Sequence, residues 1–325
     1  MIRTGLAAIA LVMGFAIAAP AHAQLEADYP KALVKIIVPF GAGGPSDVLA
    51  RVVAHHLQEA FGQPVIVEDR PGAGGTLASA QVVESTPDGL TLIMHTSGSY
   101  VAAYLYPNVR YDPVKDLAPI INCASYPFYL VVNPSLPVKT VGELIALAKK
   151  EPNKLSYSSP GIGSAGHLLM EMFKREAGIE IVHVPYRSAP QSVTDIVSGQ
   201  VSLAFDTIGT SQALVAAGKL RGLAVSSGKR SAAVPDVPTV AESGLPGFEA
   251  YLWVGLFVPA GTPEPIVAKL NVEVNKILQD AEVKHLVANI GGDSPPNTPQ
   301  EFTSFIAGET AKWRRIIADV GARAE

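Results

Sequence analysis

The chain has 325 residues, with 25 Lys and Arg against 29 Asp and Glu and a formal net charge of −4. That balance, without a basic stripe, excludes the usual nucleic-acid binder. A single cysteine, Cys123, excludes an intramolecular disulfide, and a chain this long, 48% hydrophobic, buries an ample core without one.

In chain order, the first segment reads as an export signal. Arg3 supplies a positive start, Leu6 to Ala19 is an apolar run, and Ala21-His22-Ala23 is a small-residue cleavage pattern. The run is shorter than the roughly 20 residues a membrane span needs. Residues 1–23 are therefore expected to be a signal peptide cleaved after Ala23, and no lipobox cysteine precedes that point. Losing Arg3 leaves 24 basic against 29 acidic residues, about −5. Cys123 lies in the apolar run Ala118 to Ala124 and reads as an inert core residue.

Short β-rich runs then alternate with helical patterns. Lys35 to Pro39 reads as a strand, and Asp47 to Ala60 as a helix with Leu49, Val52, Val53 and Leu57 on one face. Val65–Val67 is a strand, Thr76 to Glu84 a helix and Leu90 to Met94 a strand. The second half repeats this plan. Leu155–Ser158 is a strand and Ser164 to Ala177 a helix, with Leu168, Leu169, Met172 and Phe173 facing inward. Ile181–Val184, Gln191–Ser198 and Val201–Phe205 complete a second βαβαβ unit. Each unit leads to a strand, a proline-rich turn and a helix: Tyr129–Pro134 into a helix from Val141, and Gly255–Pro259 into one from Pro265. This order implies parallel, doubly wound α/β sheets.

Two such units with strands between them imply a clamshell whose chain crosses the hinge twice, the second time within Pro235 to Tyr251. The helices Pro265–Leu278 and Pro299–Ala318 return to the first lobe. The expected division is residues 24–124 and 246–325 for lobe 1 and 125–245 for lobe 2.

Ligands of open α/β sheets sit where strands lead into helices. Four loops qualify: Phe40–Asp47, Arg70–Thr76, Ser158–His167 and Tyr186–Gln191. Glycines such as Gly43, Gly44, Gly161 and Gly163 let backbone approach a ligand, and helix N-termini offer free N–H donors, a natural anion site. Ser46, Asp47 and Ser164 stand at those helix starts, where each either caps its helix or meets the ligand. Arg187 either clamps a carboxylate or forms an ion pair. Arg70, beside Glu68 and Asp69, reads as a local salt bridge. Asp206 either accepts from a ligand amine or caps the turn with Thr207, and His167 orders its own loop.

Enzyme signatures are missing. Neither glycine loop carries the lysine of a phosphate-binding loop, Gly41-Ala-Gly43 and Gly72-Ala-Gly74 lack the third glycine of a dinucleotide fingerprint, and Ile162 breaks a nucleophile elbow at Ser164. The seven histidines form no metal-ligand spacing; His55 and His56, being adjacent, fall on different parts of a helix. No catalytic residue, metal or cofactor is expected.

Val38-Pro-Phe-Gly-Ala-Gly-Gly-Pro-Ser-Asp47 with Ala50-Arg51, Arg70-Pro-Gly-Ala-Gly-Gly75, Ser158-Ser-Pro-Gly-Ile-Gly-Ser-Ala-Gly-His167-Leu, Val184-Pro-Tyr-Arg187, Val201–Asp206 and Pro235–Gly244 follow one another in order. Together they resemble the substrate-binding proteins of tripartite tricarboxylate transporters, the Bug or TctC family, over essentially the whole mature chain. The resemblance implies a two-lobed periplasmic binding protein of type II and a small carboxylate ligand: a di- or tricarboxylate, an acidic amino acid or an aromatic acid. It implies loops from both lobes holding one carboxylate, mapped here onto Phe40, Gly43, Gly44, Ser46, Asp47, Ser158, Gly161, Gly163 and Ser164. Arg187, Asp206 and residues near His95 to Ser97 would select the distal part. Ala42 stands where many members have proline, and Pro45 replaces a potential N–H donor with none.

The reading is thus a non-catalytic, monomeric receptor that closes on a carboxylate and delivers it to membrane transporter subunits. A sensor built on the same clamshell is the nearest alternative, and an exported hydrolase using Ser164 or His167 is more remote.

Overall fold

The computed structural model describes residues 29–289 and 291–320. The expected signal peptide and its cleavage point lie outside them. Among the described residues no helix is long and apolar enough to cross a membrane.

Among the described residues nine strands, β1 to β9 in chain order, lie in the spatial order β2-β1-β3-β9-β4-β7-β5-β6, with β8 also on β4. The first half of this sheet begins with β1 (Val34–Val38), α1 (Pro45–Phe61), β2 (Val65–Asp69), α2 (Thr76–Val83) and β3 (Thr91–Thr96). β1 pairs in parallel with both β2 and β3. Four of β1's five residues are buried, as in a sheet covered on both faces. α1 has Pro45 in its first turn, where the missing N–H costs nothing, and ends at Gly62 in the left-handed conformation (φ 63°). Leu49, Val53 and Leu57 supply its buried face.

Two short helices, α3 (Ser97–Val101) and α4 (Pro113–Asp116), lead into β4, a 16-residue strand from Leu117 to Val132. β4 belongs to both halves of the sheet. Leu117–Pro127 pairs antiparallel with β9 (Tyr251–Pro259), and Phe128–Val132 pairs with β7 (Leu203–Thr207). Pro127 sits where the partner changes, so its missing N–H costs little there.

The second half contains α5 (Val141–Lys150), β5 (Ser156–Ser159), α6 (Ala165–Ala177), β6 (Val182–Pro185), α7 (Ala189–Val197), β7, α8 (Ile208–Ala216) and β8 (Arg221–Val225). β5 is parallel to β6 and β7. The chain returns through β9 and ends in α9 (Glu264–Gln279), α10 (Ala281–Asn289) and α11 (Pro299–Val320). This is the two-lobed α/β architecture read from the repeated βαβαβ units. The α8–β8 pair and α10 were not legible. In α8 the apolar residues are spread around the helix, and only Ile208 and Ser211 are fully buried.

The two crossings are fastened to each other. The buried Ser226 hydroxyl accepts from the Phe128 N–H (2.9 Å) and donates to the Ala250 carbonyl (2.6 Å). Nearby, Ser125 and Asp293 form an antiparallel bridge. Register slips in β4 leave Asn122 facing the Asn297 side chain, which accepts from the Asn122 N–H and donates to its carbonyl, both at 2.9 Å. The bulged backbone is thereby satisfied.

Candidate ligand-binding cleft

Two long helices point their N-termini into one space between the lobes. α1 starts at Gly44, which offers no side-chain cap. α6 starts at Ser164, whose hydroxyl accepts from the His167 N–H at 3.3 Å. Between them lies an inner cavity of about 50 Å³, bounded by Phe40, Gly44, Thr96, Ser164, Asp206 and Thr207 among others. That is room for a carboxylate group or a few waters. No Lys or Arg lines it, so the positive potential there comes from helix ends.

Phe40 and Pro160 line this cavity and a wider outer one of about 750 Å³. The outer space is walled by Gly72–Gly75, Tyr106, Gly161, Ile162 and Arg187. Gly74, at φ 63°, lets the first-lobe loop approach: a Cβ there would lie 2.6 Å from the Ile162 carbonyl oxygen. The lobes touch directly, the Gly41 N–H donating to the Arg187 carbonyl and the Tyr106 hydroxyl to the Ile162 carbonyl, both at 3.3 Å. The clamshell is closed.

The expected site residues fall into three groups. Phe40, Gly44, Ser164 and Asp206 line the inner cavity, while Gly161 and Arg187 line the outer one. Gly43, Ser46, Asp47, Ser158 and Gly163 line neither and shape the loops. The Asp47 carboxylate receives the Gly43 N–H at 2.8 Å and lies 2.7 Å from the Arg51 guanidinium, fixing the turn at the start of α1. Ser158 donates to the Ser192 carbonyl at 3.4 Å, and Ser46 is buried outside the cavity lining. His167 orders its loop as read: its Nδ1 accepts the Gly163 N–H at 3.3 Å, and burial holds the ring neutral, pushing its pKa down to about 4.

Arg187 is exposed and forms no ion pair among the described residues, leaving the ligand role open of its two sequence readings. Arg70 pairs with Glu68 at 2.6 Å, as its neighbours suggested. Of the His95–Ser97 stretch, Thr96 reaches the inner cavity. His95 turns into the core, bonded to Ser99 (3.0 Å) and Ser79 (3.4 Å), with burial lowering its pKa to about 3. Phe128 and Leu252, on the two crossing strands, line the cavity floor. They were missed because attention to loops passes over strand interiors. The adjacent His55 and His56 differ in exposure, His55 exposed and His56 half-buried. Their rings lie 5.4 Å apart, because both bend toward Glu59, one turn further along α1.

Asp206 accepts a hydrogen bond from Ser211, and burial raises its carboxyl above the usual range despite that bond. A raised folded pKa means the fold holds a proton that the unfolded chain releases. Stability is then greatest below the ordinary carboxylate titration and falls as pH rises through the folded value. Asp206→Asn keeps the acceptor for Ser211 and removes the buried charge. Its melting temperature should exceed the parent's at neutral pH, the gap closing near pH 3; a gap independent of pH in thermal scans refutes this.

Residues 49–322 match the tripartite tricarboxylate transporter family receptor, TctC. The chain belongs to that family. BugT of Bordetella pertussis is 36% identical over 309 residues, covering 94% of each chain. A structure of R. palustris Rpa4515 with adipate superposes with a TM-score of 0.85 at 35% identity, covering 91% of this chain and 99% of that one. MatC from Rhodopseudomonas palustris with bound malate gives 0.85 at 32% identity, covering 89% and 100%. TctC proteins are substrate-binding proteins of the periplasmic binding class rather than enzymes, so this TctC chain is a solute-binding protein.

Proposed function

We propose that this protein captures a small carboxylate in the periplasm by lobe closure and hands it to a tripartite tricarboxylate-type membrane transporter. The observation that carries the reading is the convergence of two helix N-termini, one from each lobe, on a cavity without a cationic side chain. Only closure brings both ends to one anion, so the ligand stabilises the closed form by its preference for it. Adipate and malate in the two related structures support a ligand with two carboxylates. In this reading one carboxylate fills the inner cavity and the distal one faces Arg187 in the outer cavity. Residues 24–124 and 246–325 form one lobe and 125–245 the other. The mature protein, cleaved after Ala23, works as a monomer.

The test is a binding panel of di- and tricarboxylates, acidic amino acids and aromatic acids on protein first unfolded and refolded to strip bound solute. A true ligand at about 100 times its Kd adds roughly 2.7 kcal/mol of stability. Silence across the panel from folded protein rejects the carboxylate reading. Arg187→Ala should weaken a dicarboxylate about tenfold or more, the worth of a charge-assisted hydrogen bond, while a monocarboxylate of equal length keeps its affinity. Equal losses for both in calorimetry would remove Arg187 from the distal end.

A further inference from the structure

On the outer face of α1, away from the cleft, His55, His56 and Glu59 bring one ligand atom each to within 4.8 Å of one another. His55 Nε2 lies 3.6 Å from one Glu59 oxygen and His56 Nδ1 3.8 Å from the other. Four-coordinate zinc with nitrogen bonds of about 2.0–2.1 Å requires neighbouring ligand atoms roughly 3.3 Å apart. Small side-chain rotations therefore complete three ligands. His55 and His56 also border a groove of about 570 Å³ between α1 and α10, and its other wall carries His285 and Glu282. Arg51 also borders the groove, but its guanidinium is held by Asp47 (2.7 Å) and Asp69 (2.9 Å).

We propose that His55, His56 and Glu59, with His285 reaching from α10, bind one divalent cation of the zinc class, joining a helix of the first βαβ unit to a helix near the C-terminus. Two or three imidazoles with one carboxylate suit Zn²⁺, Ni²⁺ or Cu²⁺ and not Mg²⁺ or Ca²⁺, which take oxygen ligands. The site is independent of the carboxylate cleft, so it stands or falls on its own evidence.

Titration of tag-free mature protein with zinc chloride should show one saturable site per chain, unaffected by excess Mg²⁺ or Ca²⁺. His55→Ala, Glu59→Gln and His285→Ala should each weaken it by about tenfold or more. X-ray absorption on the zinc-loaded protein should show nitrogen and oxygen neighbours from two or more imidazoles. Carboxylate binding by each variant provides the folding control, since none of these residues lines the cleft. Non-saturable uptake of several zinc ions, or affinity unchanged in any of the three variants, overturns the proposal.

Discussion

Gly98→Ala is expected to weaken ligand capture by about 150-fold while leaving the ligand-free protein folded. Gly98 lies in α3 of the first half, against the start of α6 in the second. A Cβ on it would sit 2.0 Å from the Ala165 nitrogen and 2.5 Å from the Ser164 carbonyl carbon. Both atoms are backbone at a capped helix start, so neither yields as a flexible side chain would. In the proposed closure the clash belongs to the shut form and is relieved when the lobes part. Overpacking costs about 1–3 kcal/mol, and a backbone contact this short belongs at the upper end. If closure is harder by about 3 kcal/mol, the competent population and the apparent affinity fall about 150-fold. Calorimetry reads the affinity, and small-angle scattering should report a more extended particle that ligand no longer compacts. A variant that binds normally would mean that closure does not bring Gly98 against α6.

Trp253→Ala should be the most damaging single truncation in the core, at about 3–5 kcal/mol. Trp253 is fully buried on β9, paired with Ser125 of β4. Its ring contacts Tyr100 (centroids 5.6 Å apart), Phe302 (5.8 Å) and Phe305 (6.2 Å). It therefore joins the crossing strand, the α3 wall that carries Gly98 and the C-terminal helix. Its indole N–H is buried without a hydrogen-bond partner, so the polar end contributes nothing. Trp253→Phe removes that orphan donor and keeps most of the ring contact, and should lose less than half of what alanine loses. Urea denaturation of both variants separates ring packing from the indole N–H. Equal losses would mean that the part of the indole a phenyl ring cannot fill carries the tryptophan's contribution.

What the sequence revealed follows from where the physics is local. The strand–glycine loop–helix units were readable because apolar periodicity, Gly44 and Ser164 are short-range signals. The family motifs cluster on those loops, so they pointed to the candidate cleft. The inner cavity's floor, Phe128 and Leu252, depends on which strands cross between lobes, a long-range pairing that no window of sequence contains. Asp47 and Ser158 show the complementary limit. A polar residue in a binding loop looks the same whether it faces ligand or holds the loop. Arg51 and the Gly43 N–H decide the first case, and the Ser192 carbonyl the second. Glu59, which both His55 and His56 approach, is one turn further along the helix and was not weighed with them.

β9 lies between β3 and β4 in space but follows both in sequence, after the whole second half of the sheet. A chain made from its N-terminus therefore displays β3 and β4 with an open slot between them until residues 251–259 emerge. The second half, whose strands β5, β6 and β7 are contiguous in order of synthesis, has its partners in hand far earlier. The first half is thus the last to mature, its barrier set by a distant loop closure. Pulse-labelled hydrogen exchange during refolding should find the Ile93–Thr96 amides protected together with those of Val254–Phe257 and after Leu203–Thr207; early protection of β3 would show that the slot is not rate-determining.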